Sequence, residues 1–231
     1  MIQRESPETS TLLTPSCVLM FSGGRDSTLA ALRLADAGVA PALVTITSNH
    51  LVGIASVHTR LRELKGQLPD TTRWLQIQQP VDLATDISFY EQTCLPCHHA
   101  YVVLAATVAA SLEAKTLAFG YTGYQSDWPE QTPLAIASLT RVLAENGIDL
   151  SLPVFNLPSR EAALVELEAR GLSSASLEQK CSRQVTNVKL DDDRLQSQVA
   201  LWETAIRASM NKLDSIPTHI LSDTTLGEIE K

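Results

Sequence analysis

The sequence predicts an α/β domain built on a doubly wound parallel sheet of five strands. Three features favour this class: short β-branched apolar runs alternate with helix-period segments, a glycine-rich turn joins the first run to the first helix, and long loops leave the ends of two runs. The chain has 231 residues, of which 44% are hydrophobic and 19% charged, enough for one sizeable core with a small appendage.

The elements follow one another in a regular order. Strands are predicted at residues 17–21, 42–47, 74–78, 116–120 and 150–155, and helices at 27–37, 57–67, 98–113, 133–146, 159–170 and 192–213. The acidic run from Asp191 to Asp193 favours a helix start. We expect a main domain over residues 16–190 and a C-terminal helix and tail over 191–231. Residues 1–15 and the last ~16 residues are expected to be weakly ordered.

Composition and charge exclude several classes of protein. No window approaches ~20 uninterrupted apolar residues. The polar N-terminal segment, which contains Glu5 and Glu8, is unlike a signal or transit peptide, so we expect a cytoplasmic protein that does not enter a membrane. The formal net charge of −8 would repel the phosphate backbone of a nucleic acid, although a local basic patch is compatible with it.

Four cysteines in such a chain favour metal ligands, reactive thiols or buried residues over a disulfide framework. Cys17 lies inside the first predicted strand and is predicted to be a small core residue.

The segment SGGRDST, from Ser22 to Thr28, connects the first predicted strand to the first helix and is called the glycine-rich loop below. Its backbone N–H groups and hydroxyls would surround a concavity at a helix N-terminus, which is a favourable place for an anion. Glycine is needed where a Cβ would block that approach or where φ is positive. The loop has neither the GK[ST] of a Walker A motif nor the spacing GxGxxG. The contributing residues are Ser22, Gly23, Gly24, Arg25, Ser27 and Thr28.

SGGRDS resembles the SGGxDS loop of the PP-loop family, the N-type ATP pyrophosphatases, at all fixed positions and in the same strand-to-helix context. The resemblance implies an adenine nucleotide α-hydrolase-like fold with strand order 3-2-1-4-5 and cleavage of ATP to AMP and pyrophosphate. It implies that the glycine-rich loop binds ATP together with Thr45, on the strand where adenine would lie, and Gly120. Asp26 would hold Mg²⁺ or orient the loop, although a carboxylate is also favourable at a helix N-terminus for electrostatic reasons alone.

A second segment, NLPSREAALVELEARGL, resembles the later part of the family pattern, where a Ser/Thr–Lys/Arg–x–Glu helix start follows the fifth strand. By this resemblance Arg160 would reach the α or γ phosphate and stabilise the charge of the departing pyrophosphate. The simpler interpretation is that Ser159 caps a helix, Glu161 favours its first turn, and Arg160 is solvated.

The segment TCLPCHHAY places Cys94 and Cys97 at the entrance to the third long helix, where a helix N-terminus would stabilise a thiolate and both sulfurs can face one metal. With the later Cys181, this arrangement resembles the iron–sulfur-dependent tRNA thiolation enzymes. The resemblance implies that the three cysteines hold a [4Fe–4S] cluster with one iron free to carry sulfide. A Zn²⁺ site completed by His98 or His99 is the alternative. The candidate catalytic residues are Asp26, Arg160 and Cys181.

The 121–131 loop, from Tyr121 to Gln131, is similar in layout to a loop of the 7-cyano-7-deazaguanine synthases that holds the deazapurine. That resemblance implies that Tyr124, Asp127 and Glu130 bind the second substrate. Those synthases also carry a C-terminal cysteine cluster, which this chain lacks. A purely structural turn, in which Trp128 packs against a neighbouring element, would contain glycine and proline in the same way.

The resemblances together predict an ATP-dependent adenylating enzyme that activates a carbonyl or carboxylate of a nucleobase-like or other small substrate for sulfur transfer. Nitrogen transfer of the 7-cyano-7-deazaguanine type and a non-catalytic nucleotide-binding subunit are the alternatives. The expected partners are a small-molecule substrate and a sulfur donor or partner protein. Binding of tRNA would need a partner or a local basic patch, and the sequence leaves a homodimer open.

Overall fold

The structure, a computed structural model, describes residues 15–84, 93–183 and 188–230. The expected weak order of residues 1–15 falls almost entirely outside this part of the chain. Six strands form the main sheet: β1 (Cys17–Met20), β2 (Pro41–Thr47), β4 (Arg73–Gln78), β5 (Thr116–Ala118), β6 (Asp149–Ser151) and β8 (His219–Thr225). Two short strands, β3 (Leu51–Val52) and β7 (Lys180–Cys181), form a separate antiparallel pair.

The helices are α1 (Arg25–Asp36), α2 (Ile54–Leu64), α3 (Leu95–Ser111), α4 (Pro133–Glu145), α5 (Arg160–Ala169) and α6 (Asp192–Met210). Two of them begin three residues earlier than predicted, α2 after Gly53 and α3 after Cys94. None of the helices in the described ranges has the length and apolar content needed to cross a membrane.

The main sheet has the order β6-β5-β1-β2-β4-β8, and its first five strands are parallel. These five strands stand in the predicted order 3-2-1-4-5, so the predicted fold class is confirmed. The register places Val18 beside Ala42 on one side and Leu117 on the other.

The sixth strand, β8, was not predicted and runs antiparallel to β4 at the edge of the sheet. The expectation that the last residues are weakly ordered is therefore wrong. None of the side chains of β8 is buried, and its sequence carries no apolar alternation. It is held by backbone pairing and by the two-pronged contact of Arg73 with Asp223, at 2.7 and 2.5 Å.

Hydrophobic cores lie on both faces of the sheet. Successive strand residues alternate between them, so that Val18 faces a core with α3, α4 and α6, whereas Leu19 faces a core with α1, α2 and α5. Cys17 is fully buried, as predicted for a core residue. Trp202 of α6 is also fully buried, against α3 and α4. The two helical layers leave the carboxyl ends of the central strands open.

Candidate functional site

A cleft of about 340 Å³ lies at the carboxyl ends of β1, β2 and β5. Its floor is the glycine-rich loop, which follows β1. Because β2 and β5 flank β1 in the sheet, the cleft has a β2 side and a β5 side. The β2 side is lined by Thr45, Ile46, Leu51, Glu178 and Gln179, and the β5 side by His98, Tyr101, Phe119, Gly120, Tyr121, Gln125, Trp128 and Gln131.

The backbone of the glycine-rich loop requires its two glycines. Gly23 has a φ of +79°, and a Cβ there would lie 2.9 Å from the carbonyl oxygen of Leu177. Gly24 is the N-cap of α1, and within the described residues no side chain caps this helix. The first N–H groups of a twelve-residue helix therefore remain available to an anion.

Hydroxyl groups stabilise the loop from inside. Ser22 Oγ lies 3.1 Å from Ser27 Oγ and accepts a hydrogen bond from the N–H of Gly24 at 3.2 Å. Thr28 Oγ1 donates to the carbonyl of Gly24 at 2.6 Å. Thr28 and Gly23 are buried behind the loop, whereas Ser22, Gly24, Arg25, Asp26 and Ser27 line the cleft.

Gly120 permits a close approach of two elements. A Cβ at this position would lie 2.7 Å from the backbone nitrogen of Ser27 and 2.9 Å from the carbonyl carbon of Asp26. The chain leaving β5 therefore packs directly on the first turn of α1, and any larger residue would displace that turn.

Thr45 lines the cleft, but its hydroxyl is already paired. It donates to the carbonyl of Phe21 at 2.7 Å and accepts from Trp74 Nε1 at 2.9 Å. The side chain thus ties β2 to the start of the glycine-rich loop, and only its surface faces the cleft.

Asp26 orients the 121–131 loop. The hydroxyl of Tyr124 and the amide of Gln125 each donate to one of its carboxylate oxygens at 2.7 Å. Burial raises the pKa of Asp26, and these two hydrogen bonds lower it in part. These contacts join Asp26 to the 121–131 loop, and the two roles expected for it, binding of Mg²⁺ and orientation of the glycine-rich loop, stay predictions.

The network continues through two glutamines that the sequence does not single out. Gln131 donates from Nε2 to Gln125 Oε1 at 3.2 Å, and its own Oε1 accepts from the N–H of Thr122 at 2.8 Å. Both glutamines line the cleft. The only sequence feature that could identify these glutamines as site residues is their position in a loop that follows the end of a strand.

None of the three residues expected to bind a second substrate lies on the cleft wall in the described structure. Tyr124 points its hydroxyl at Asp26. Asp127 is exposed and pairs with Lys189 at 2.7 Å. Glu130 is fully buried, with Oε1 3.7 Å from His98 Nε2 and with no hydrogen bond to either oxygen among the described residues.

The three cysteines of interest lie in one neighbourhood at the edge of the cleft. Cys94 is the N-cap of α3, Cys97 is in the first turn, and Cys181 is exposed in β7 opposite Leu51. The pKa of the Cys94 thiol is raised to about 12, mainly by burial and in smaller part by the charges of Glu130, Cys97 and Cys181. The pKa of Cys97 is raised to about 11, again by burial first. The expected stabilisation of a thiolate by the helix N-terminus is therefore outweighed by desolvation.

The histidine next to these cysteines is His50, which the sequence does not single out. Its Nε2 lies 3.4 Å from Cys97 Sγ, and its Nδ1 lies 3.0 Å from Ser48 Oγ. The two histidines expected near the cysteines have other partners. His98 Nδ1 lies 2.6 Å from the hydroxyl of Tyr121, and His99 Nε2 lies 2.9 Å from Ser209 Oγ.

No group of three His, Cys, Asp or Glu side chains in residues 15–84, 93–183 and 188–230 is arranged to hold a metal ion. The chemistry of the donor set, three thiols with a nearby imidazole, suits iron–sulfur or zinc. The side chains lie in the same region without forming a coordination sphere.

The two arginines predicted to lie at the phosphate site, Arg160 and Arg25, differ in their position relative to the cleft. Arg160 is the exposed first residue of α5, after the cap Ser159, and it is not among the described residues that line the cleft. Arg25 does line the cleft, and its Nε is buried with no hydrogen-bond partner in the described part of the chain.

The segment Ser173–Cys181, of which the sequence singles out only Cys181, closes the β2 side of the cleft and is called the strap below. The fully buried Arg60 of α2 donates to the carbonyls of Ser173 at 2.9 Å and Ala175 at 2.8 Å, and also to that of Gly23 at 3.3 Å. Arg60 thereby holds the strap against the glycine-rich loop.

No protein-family model and no curated protein sequence matches the chain. Among solved structures, the fold is similar to that of a 4-thiouridine synthetase in complex with RNA and with bound ATP, with a TM-score of 0.60 and 15% identity over 89% of this chain and 55% of that one.

Two further solved structures have TM-scores below 0.5. The U34-tRNA thiolase NcsA from Methanococcus maripaludis, with its [4Fe–4S] cluster, gives a TM-score of 0.47 and 14% identity over 87% of this chain and 72% of the other. The NMN synthetase from Francisella tularensis gives 0.46 and 10% over 85% and 87%. The chain spans 55% of the 4-thiouridine synthetase and shares its fold, as the resemblance of SGGRDS to the PP-loop family implies.

Proposed function

We propose that the chain is an ATP-dependent adenylating enzyme, which binds the phosphates of ATP on the glycine-rich loop and cleaves ATP to AMP and pyrophosphate. The geometry of that loop supports this function best. Gly23 in a left-handed conformation and the uncapped N-terminus of α1 form a cradle for an anion inside a cleft at strand ends. The fold is also that of a solved enzyme with bound ATP.

Arg25 supplies positive charge to this cradle. Its buried Nε has no partner in the described part of the chain, and phosphate oxygens would provide one. A guanidinium at this place stabilises the negative charge that builds on pyrophosphate as it leaves. Arg25 takes the role that the family resemblance gives to Arg160, which lies exposed at the start of α5.

Asp26 would hold the Mg²⁺ that accompanies the triphosphate and neutralises part of its charge. Its carboxylate also connects the phosphate site with the 121–131 loop through Tyr124 and Gln125. Binding of ATP and positioning of the 121–131 loop are therefore linked through one side chain.

The reaction has two steps. An oxygen of the acceptor attacks the α phosphorus, the bond to the bridging oxygen of the β phosphate breaks, and pyrophosphate leaves. A nucleophile then attacks the activated carbon, and AMP leaves with the oxygen. The acceptor would lie on the β5 side, against Tyr121, Gln125 and Trp128. Glu130 would act through His98, and Asp127 would contact the acceptor only at the exposed rim.

Sulfur is the preferred nucleophile because three thiols lie beside the cleft. Cys94, Cys97 and Cys181 would hold a [4Fe–4S] cluster or Zn²⁺, with His50 next to Cys97. An iron–sulfur cluster with a free iron would supply a place for sulfide, whereas zinc would favour a structural role. The layout of the 121–131 loop favours nitrogen transfer instead. The acceptor is a small nucleobase-like molecule, or an RNA brought by a partner.

Substitutions in the loop test the proposal. Ser22→Ala and Asp26→Ala should abolish ATP-dependent activity while the chain stays folded, as judged by circular dichroism. Ser111→Ala, at the exposed end of α3, is the matched control and should keep full activity. Retained activity in both loop variants would contradict the assignment of the phosphate site.

Metal analysis tests the cysteine assignment separately. Anaerobically purified protein should contain iron and sulfide, or zinc, and Cys181→Ser should lower the metal content. Metal-free protein with full ATP-dependent activity would remove the metal centre from the proposal.

A further inference from the structure

The strap places Gln179 against β2 in a fixed orientation. Its side-chain Nε2 donates to the carbonyl of Ile46 at 2.8 Å. A carbonyl oxygen accepts hydrogen bonds and cannot donate them, so the amide nitrogen must face Ile46 and the amide oxygen must face away.

The amide oxygen of Gln179 is left without a partner. Oε1 is buried, and it has no hydrogen bond within the described ranges. Buried polar atoms in folded proteins nearly always have a partner, because an unmet acceptor destabilises the fold. Gln179 lines the cleft beside Ile46 and Leu51, so a molecule bound on the β2 side is a natural source of the missing donor.

The rest of the β2 side suits the flat face of a heterocycle. Ile46 and Leu51 line it with apolar side chains, and Met20, at the end of β1, also lines the cleft. A purine bound here would contact these apolar side chains and would have one polar edge turned toward the strap.

We propose that Gln179 selects a 6-aminopurine over a 6-oxopurine, with Oε1 accepting a hydrogen bond from the amino group of the base. This inference rests on the proposed function, in which the phosphates of ATP lie on the glycine-rich loop, and on the position of adenine beside β2 that the family resemblance implies. An adenine amino group is a donor and matches Oε1, whereas the oxygen of a 6-oxopurine is an acceptor and opposes it. The carbonyl of Ile46 prevents the amide from turning round to accommodate the oxo group.

The orientation of Gln179 is protected by the contacts of the strap. Arg60 holds the strap at Ser173 and Ala175, and Cys181 holds its other end by pairing with Leu51. A fixed acceptor discriminates between ligands better than a mobile one, because it cannot rotate to relieve a mismatch.

Calorimetric titration with ATP and with inosine triphosphate tests the proposal, since the two nucleotides differ in this amino group. In Mg²⁺ buffer without acceptor, the wild-type chain should bind ATP about tenfold more tightly than inosine triphosphate. Gln179→Leu should weaken ATP binding about tenfold and leave inosine triphosphate binding within about twofold, so that the preference disappears. Gln67→Leu, an exposed position whose amide donates to the carbonyl of Arg170 at 3.2 Å, is the matched control and should keep the preference.

Equal affinity of the wild-type chain for the two nucleotides would overturn the inference and leave ATP binding at the loop intact. The inference would also be overturned if Gln179→Leu weakened the binding of both nucleotides by the same factor. The wild-type comparison needs no variant, so equal affinities would overturn the inference even if Gln179→Leu did not fold. Failure of folded wild-type protein to bind either nucleotide would overturn this inference and the proposed function together.

Discussion

The glycine-rich loop and the strap meet at the same cleft, but the chain builds them in different ways. The loop is made by seven consecutive residues that follow β1 and include the first turn of α1, and its shape comes from its own glycines and hydroxyls. The strap has no regular structure before β7, and it is held by residues far away in sequence, Arg60 in α2 and Ile46 in β2. A local site can be recognised from sequence, whereas a site assembled by distant contacts cannot.

The largest expected effect comes from crowding the loop. Gly120→Ala would place a Cβ 2.7 Å from the backbone nitrogen of Ser27, so the first turn of α1 must shift. We expect loss of detectable ATP binding and a destabilisation of about 1–3 kcal/mol, measured by calorimetry and by chemical unfolding. Gly227→Ala, where the nearest atom is the side-chain Cβ of Asp70 at 3.2 Å, is the control. Normal ATP affinity in Gly120→Ala would show that the loop tolerates displacement.

The next effect comes from releasing the strap. Arg60→Met leaves three carbonyls without their donor, that of Gly23 in a buried place, and we expect a loss of about 2 kcal/mol in the free energy of unfolding. Arg62→Met, on the exposed face of the same helix, should cost less than about 0.5 kcal/mol. The difference between the two urea unfolding midpoints measures how much the strap depends on one side chain. Equal midpoints would mean that the strap is held by its other contacts.

A smaller effect is expected at the contact between the glycine-rich loop and the 121–131 loop, on the side of the cleft proposed for the acceptor. Tyr124→Phe removes one hydrogen bond to Asp26 and loosens the 121–131 loop. The acceptor-dependent rate should fall by about tenfold, while ATP affinity changes by less than about twofold. Steady-state kinetics and ATP titration separate the two. An equal loss in both would place the 121–131 loop at the phosphates instead of the acceptor.

The smallest effect concerns the edge strand. Hydrogen bonding to Arg73 holds the pKa of Asp223 below its ordinary value of 3.8. A lowered carboxyl pKa adds stability above the unfolded-state pKa, and that stability disappears as the pH falls through the folded-state pKa. Asp223→Asn should therefore lower the melting temperature at pH 7, only slightly because the pair is partly exposed, and should lower it less near pH 2. A decrease that is the same at both pH values would assign it to packing.

The sequence predicts those parts that depend on neighbouring residues. Five parallel strands and their order follow from alternating patterns and the family resemblance, and SGGRDS marks the floor of the cleft. Burial of Arg60, the closeness of His50 to Cys97 and the pairing of Gln179 with Ile46 arise only when distant segments pack. The same reason explains β8, whose weak apolar pattern gives no strand signal until β4 offers an edge.

The products of ATP turnover test the central claim most directly. Purified protein is incubated with ATP, Mg²⁺ and nucleobase, nucleoside or unmodified tRNA acceptors, and the nucleotides are separated by chromatography. The account predicts acceptor-dependent formation of AMP and pyrophosphate in equal amounts, with none formed by Asp26→Ala. ADP and orthophosphate as the main products would contradict it, because cleavage would then occur at the wrong phosphate.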